Sequence, residues 1–334
     1  MSVEASMKAG AAVSNSSDGD VWRNLERHLR SSVVGNEKLI ERLLIALIVG
    51  GHVLIEGAPG LAKTRAVKKL AGGMDVSFGR IQCTPDLMPA DLTGTPVWRP
   101  DQGEFEFVAG PLFHSLVLVD EINRAPPKVQ SALLEAMAEH QVTAGGQTHP
   151  LPDPFMVVAT QNPIEQEGTF PLPEAQLDRF LFHVLLAAPG KEAERQILDL
   201  VENEQFGQQI AETDFRIEKN AIVETRAAAA NIHLAPALKD YIVRLVMATR
   251  DRSGGEDVGS KIEYPVSPRG TLSLAAAART RALLHGRDYA TPDDVQDLAS
   301  DILAHRLGLT WQAVTEGFTN RSVVNLILDR IAPL

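Results

Sequence analysis

One stretch constrains this chain more than any other: His52-Val-Leu-Ile-Glu56 runs straight into Gly57-Ala58-Pro59-Gly60-Leu61-Ala62-Lys63-Thr64. The apolar run reads as a strand, the glycine-bearing segment as a tight loop, and the residues from Lys63 onward as a helix. A phosphate group needs backbone N–H groups pointing inward from a turn, hence Gly57 and Gly60. It also needs a cation, Lys63, and a hydroxyl that can ligate Mg²⁺, Thr64. The usual pattern places glycine immediately before the lysine, where this chain has Ala62. A methyl is tolerated there if Ala62 is already right-handed at the start of the helix.

The surrounding sequence alternates in the same way. From Val21 to about Leu186, apolar runs at His52–Glu56, Arg80–Cys83, Leu116–Val119, Met156–Thr160 and Phe180–Leu185 lie between helical patterns such as Lys63–Ala71 and Pro127–His140. Val129, Leu133, Ala136 and Met137 share one face of the latter. The runs lack clean polar alternation, as strands do when helices cover both faces of a parallel sheet. After Ala188-Pro189-Gly190 no strand is expected, and helices are predicted over 191–206, 219–231, 236–250, 269–285, 292–306 and 320–331. Ser267-Pro268 and Thr291-Pro292 each place a cap residue before a proline at the first helical position. The expected organisation is a disordered arm over 1–20, an α/β domain over 21–188 and an all-helical domain over 189–334.

Composition excludes several classes. The 334 residues carry 32 Lys and Arg against 43 Asp and Glu, a formal charge of −11, which argues against a large nucleic-acid footprint. A single cysteine, Cys83, rules out a disulfide framework and a multi-cysteine metal site, and fits a reducing compartment. The longest apolar stretch, Leu43 to Ile55, falls short of the roughly 20 residues that span a membrane. The N-terminal segment lacks an apolar core of the secretory kind, so the expectation is a cytoplasmic protein without a membrane span.

Leu116-Val-Leu-Val-Asp120-Glu121 ends a second apolar run in two acids. Asp120 can hold a Mg²⁺ shell and Glu121 can orient or deprotonate a water; acids before Pro126-Pro127 also suit a plain helix entry. Asn162 follows the Met156 run, where its amide could meet a water or a terminal phosphate, or serve an ordinary Asn-Pro turn. Arg269 stands in the first turn of a helix, against the dipole, which suits either an anion or solvent. Arg179 reads either as a surface partner of Asp178 or Glu174 or as an arginine finger acting on a neighbouring subunit's nucleotide.

The runs GAPGLAKT, LVLVDEINRAPPKVQSALLEAMAE, VVATQNPIEQEGTFPLPEAQLDRF and SPRG together resemble the MoxR family of AAA+ ATPases over roughly residues 30–275. That resemblance implies a P-loop αβα sandwich followed by a helical lid, with ATP and Mg²⁺ as cofactors. Gly57 to Arg65 then look like Walker A, with Lys63 and Thr64 as its functional pair. Asp120 and Glu121 look like Walker B, Asn162 like sensor 1, Arg179 like a trans arginine finger and Arg269 like sensor 2. Val34-Gly35 resembles the entry to the adenine pocket. The family also implies a homo-oligomeric ring, usually a hexamer, and clients that carry a von Willebrand A domain. No role for Arg124 follows from the motif.

Two hairpins are expected besides: Thr95 to Val108, turning at Pro100-Asp-Gln-Gly103, and Gln141 to Leu151, turning at Gly145-Gly146. They resemble the helix-2 insert and presensor-1 hairpin. Trp98, Phe105 and Phe107 either contact a client there or pack on the domain surface. The first hairpin carries Arg99 against Asp101, Glu104 and Glu106, and the second has no Lys or Arg, so a protein client is expected over nucleic acid. The leading expectation is an Mg²⁺-dependent ATPase that remodels protein complexes. A chelatase ATPase subunit, a nucleic-acid-stimulated motor and a non-hydrolysing scaffold are the alternatives.

Overall fold

The computed structural model describes residues 15–163, 168–205, 216–251 and 258–333. Two helices, α1 (Asn15–Arg30) and α2 (Glu37–Val49), precede the first strand. The chain then runs β1 (Val53–Glu56), α3 (Lys63–Gly72), β2 (Phe78–Gln82), α4 (Pro89–Thr93), β3 (Gly94–Arg99), β4 (Glu104–Ala109), β5 (Leu116–Asp120) and α5 (Pro127–Glu139). It continues through β6 (Gln141–Ala144), β7 (Gln147–Pro150), β8 (Met156–Gln161), α6 (Glu174–Leu177) and β9 (Phe182–Leu185). Five of these strands form one parallel sheet in the order β2-β5-β8-β1-β9.

Both faces of the central strands β1, β5 and β8 are covered, which is why those three read as unbroken apolar runs, whereas the edge strands β2 and β9 alternate between buried and more exposed residues. Val53, Ile55, Leu116, Leu118 and Val158 point into one core with α1, α2 and α3. Their neighbours Leu54, Val117, Val119, Val157 and Ala159 point into a second core with α4 and α5. The period-two geometry of a strand thus divides β1, β5 and β8 between two apolar layers.

The C-terminal part holds α7 (Lys191–Gln205), α8 (Lys219–Ala230), α9 (Pro236–Ala248), β10 (Ile262–Tyr264), α10 (Pro268–Leu284), α11 (Pro292–Leu303), β11 (Gly308–Leu309), α12 (Trp311–Thr315) and α13 (Asn320–Arg330). The caps read from sequence are built: Ser267 Oγ accepts from the Arg269 N–H at 3.2 Å, and the Thr291 N–H donates to Asp294 Oδ2 at 2.8 Å. Leu245, Leu274, Leu298 and Val323 belong to the same core as β1 and α2, so the helical lid shares an apolar interior with one sheet face.

Three expectations are corrected. The lid is not wholly helical, because β10 and β11 pair antiparallel; strands of three and two residues are too short to show a period. The first helix begins at Asn15, inside the arm expected over 1–20, of which residues 1–14 lie outside the described residues. Strand β2 begins at Phe78 and β9 at Phe182, each two residues from its expected start.

Both hairpins form, β3 with β4 and β6 with β7. Phe107 stacks on His149 with ring centroids 4.1 Å apart, so the aromatic face of one hairpin packs on the other. Further out the same face is bare: Trp98 and Phe105 pair edge to face at 5.1 Å yet are 49% and 68% exposed.

Candidate functional site

The Gly57–Ala62 loop leaves the C-terminal end of β1 and delivers Lys63 and Thr64 to the first turn of α3. Gly57 is buried and its N–H donates to the Gln161 carbonyl at 3.3 Å, which pins the loop to β8. Ala58 is half-buried, while Pro59 and Gly60 are exposed and Leu61 closes back over Gly57. Gly60 sits at φ +84° with open space where a Cβ would stand. Ala62 corrects the sequence reading: it is left-handed, at φ +55° and ψ +19°, as cap of α3. That is the conformation glycine adopts without steric cost, which explains why glycine is usual at this position.

Lys63 Nζ reaches back across the loop to the Gly57 carbonyl at 2.6 Å and the Gln161 carbonyl at 3.2 Å. Thr64 Oγ1 donates to Asp120 Oδ1 at 3.2 Å, joining the loop to the tip of β5. Glu56, the last residue of β1, pairs with His183 Nε2 at 2.8 Å. That hydrogen bond, opposed by burial and aided by the nearby charges of His183, Arg321 and Lys63, holds its carboxyl below the usual range.

Asp120 is buried, and its polar neighbours bear on the site. Thr160 Oγ1 donates to Oδ1 at 3.2 Å, and Arg80 Nε lies 2.8 Å from Oδ2. Glu121 is left-handed, at φ +58°, and its N–H donates to Thr160 Oγ1 at 3.0 Å. Its Oε2 accepts from Gln82 Nε2 at 3.2 Å and Arg124 Nη1 at 3.1 Å. A non-glycine residue in this backbone region persists only where its surroundings hold it. Asn162 is buried just past β8, and its carbonyl accepts from Asn123 Nδ2 at 3.4 Å. Cys83, behind these acids, has its thiol pushed up to about 12 by burial and by Asp120 and Glu121, so it stays protonated.

These groups fit a nucleotide with its cation. Thr64 Oγ1 and Asp120 Oδ1 are hard oxygen donors on adjacent elements, the one or two protein ligands that Mg²⁺ takes beside phosphate and water. Lys63, whose partners here include two backbone carbonyls, can exchange them for phosphate oxygens. Arg65 braces the loop's flank, where its Nε donates to the Ser32 carbonyl at 2.7 Å. That tie carries the Val34-Gly35 segment, where Gly35 is at φ +74° and a Cβ would come within 3.0 Å of Ala193.

Arg179 and Arg269 are elsewhere. The N–H groups of Leu181 and Phe182 donate to the His52 carbonyl, so Arg179 stands where β1 begins. At roughly 3.3 Å per residue, the two end residues of a four-residue strand lie about 10 Å apart. Arg179 Nη1 donates to the Leu134 carbonyl of α5 at 2.7 Å, and Arg269 Nη1 lies 3.9 Å from Asp178 Oδ2. Both line a cleft of about 350 Å³ with Gly50, His52, Leu272 and Arg306. Asp178 organises this end, accepting from Arg306 Nε at 2.9 Å and from Ser267 Oγ. Burial, offset in part by Asp178, brings the Arg306 guanidinium down to about 10, still protonated.

Sequence reasoning missed Thr160, Arg80 and Gln82. Arg80 and Gln82 carry a signal in retrospect, polar residues two apart on a strand that share one face.

The matched families are consistent with this geometry. Residues 52–182 match the ATPase family associated with various cellular activities (AAA), and residues 256–327 match the AAA lid domain. The chain is 45% identical over 302 residues to Chaperone MoxR1 of Mycobacterium tuberculosis, covering 90% of this chain and 79% of that protein. It is 33% identical to the MoxR protein of Methylorubrum extorquens, over 86% of this chain and 89% of the relative.

The chain belongs to the MoxR family of AAA+ ATPases.

A crystal structure of a provisionally named ATPase from Cytophaga hutchinsonii superposes with a TM-score of 0.87 at 42% identity, covering 96% of this chain and 97% of the other. Within this MoxR-type chain, the AAA match opens at His52 and closes at Phe182, so it contains the phosphate loop, both acids, Asn162 and Arg179. Arg269 falls in the lid match.

Proposed function

We propose that this MoxR-family protein hydrolyses ATP with Mg²⁺ at junctions of a head-to-tail ring and uses the turnover to remodel protein complexes. The observation that carries the reading is the division of the site across the sheet. Lys63, Thr64, Asp120 and Glu121 gather at one end of the strands, and Arg179 and Arg269 at the other. A surface bearing one half and an opposite surface bearing the other make a heterologous contact, which closes into a ring when the rotation permits. The family's usual hexamer is the closure proposed here.

Mg²⁺, held by Thr64 and Asp120, supplies charge neutralisation at the phosphates. Lys63 gives up its carbonyl partners to grip phosphate oxygens, and the loop N–H groups complete the cradle. Glu121 orients the attacking water and accepts its proton, while the Asn162 amide aligns the same water without adding charge. Arg179 and Arg269 of the adjoining subunit neutralise negative charge as it develops. Val34-Gly35 and the Arg65–Ser32 tie frame the base side of the site.

The relative named a chaperone supports action on proteins. The exposed Trp98–Phe105 pair, amid Asp101, Glu104 and Glu106, suits a protein client better than a phosphate backbone. The family resemblance makes clients with a von Willebrand A domain the first to test. The proposed setting is the cytoplasm. Among the described residues no helix is long and apolar enough to cross a membrane.

The test is Glu121→Gln, assayed for phosphate release with ATP and Mg²⁺ and for binding of a fluorescent ATP analogue. Binding is retained and turnover falls by about 10²–10⁴-fold, the usual share of a general base. Turnover at the wild-type rate would remove Glu121 from the reaction.

A further inference from the structure

The sequence leaves Arg124 without a role, and the structure gives it a partner, Glu121. Arg124 lies one turn beyond Glu121 in a short 3₁₀ segment, Ile122–Arg124, whose first backbone bond runs from the Arg124 N–H to the Glu121 carbonyl at 2.8 Å. The turn brings its Nη1 to 3.1 Å from Glu121 Oε2. Gln82 Nε2 reaches that same oxygen from β2 at 3.2 Å, and Arg80 Nη2 in turn holds Gln82 Oε1 at 3.3 Å.

Both donors therefore converge on Oε2. A carboxylate on a three-bond side chain would otherwise rotate freely, and here the left-handed backbone of Glu121 sets only where the side chain starts. Two donors on one oxygen fix the plane of the carboxylate and leave Oε1 to meet the water. Both bonds end on an ionised carboxylate, but only the arginine brings an opposite charge of its own, so it is the stronger of the two donors.

We infer that Arg124 is a positioning residue for hydrolysis, which aims Oε1 of Glu121 by holding Oε2. The inference rests on the reading that Glu121 acts on the water. Misplacing a reacting group by about an ångström costs on the order of a hundredfold. Arg124→Met is accordingly expected to lower kcat by about ten- to a hundredfold, with KM for ATP within about twofold of wild type. Arg124→Lys, which keeps a cation and a donor, recovers part of that loss.

A residue acting through Glu121 has no further effect once Glu121 is gone. The Glu121→Gln and Glu121→Gln/Arg124→Met proteins should therefore share one residual rate. In crystals of nucleotide-free Arg124→Met, the Glu121 carboxylate should leave Gln82. A carboxylate unmoved at 3.2 Å, additive losses in the double variant, or Lys and Met performing alike would overturn the proposal. So would a kcat that rises, because Arg124 would then hold Glu121 off the water. If instead Glu121→Gln alone keeps full turnover, the hydrolytic reading fails, and that result is separate from any behaviour of Arg124.

Discussion

Ala62→Gly turns a single dihedral angle into a measurable sign. Ala62 caps α3 at φ +55° and ψ +19°. For an L-residue the left-handed conformation costs roughly 1–2 kcal/mol, because Cβ crowds the following carbonyl oxygen. Glycine removes that cost, but its unfolded chain is more flexible, which returns about 0.4–1 kcal/mol. The difference leaves Ala62→Gly more stable by about 0–1.6 kcal/mol, centred on about 0.8 kcal/mol. Were Ala62 right-handed, the same change would follow helix propensity and lose about 1 kcal/mol. The two conformations thus predict opposite signs. Urea unfolding of the full chain, comparing midpoints at constant slope, reads that sign directly. Ala62→Val provides the counter-test, because a β-branched residue suits this region still less and should destabilise. A less stable Ala62→Gly protein would refute the argument that the phosphate loop stores strain at this position.

Two further outcomes follow from the buried charges and rings. His52 takes the Val157 N–H on Nδ1 and faces the Met137 carbonyl with Nε2; burial, opposed by that carbonyl and aided by His140, lowers its pKa to about 4. Between pH 6.5 and 4 the unfolded chain binds the proton that the folded chain refuses, so stability falls as pH drops, by about 2 kcal/mol from this group between pH 7 and 5. Unfolding midpoints that stay level across that range would contradict it. Arg306→Met strips the buried cation from Asp178 and from the Phe180 carbonyl. Leaving Asp178 without that partner should cost about 3–5 kcal/mol, measured by the same unfolding assay, and a loss under about 1 kcal/mol would show that the lid is held otherwise.

Legibility in the sequence followed the length scale of each interaction. The phosphate loop, both acids and Asn162 were readable because each ends an apolar strand, and a strand of four to six residues leaves a pattern. The caps at Ser267 and Thr291 were readable because proline restricts the first helical position. The left-handed turn at Ala62 was not, since a methyl at that place is compatible with either hand until the flanking loop is built. Thr160, Arg80 and Gln82 were also hidden. They join Asp120 and Glu121 from other strands, 39 or 40 residues away in sequence. The separation of Arg269 from the phosphate loop could not be read either, since it depends on where the lid docks.

The divided site is tested most directly by mixing two inactive proteins. Lys63→Ala lacks the phosphate grip and Arg179→Ala lacks the arginine, but a junction can pair the intact face of each. Combined in rings verified to contain both chains, they should regain a fraction of wild-type phosphate release that varies with the mixing ratio. Persistent inactivity at every ratio would contradict hydrolysis between subunits.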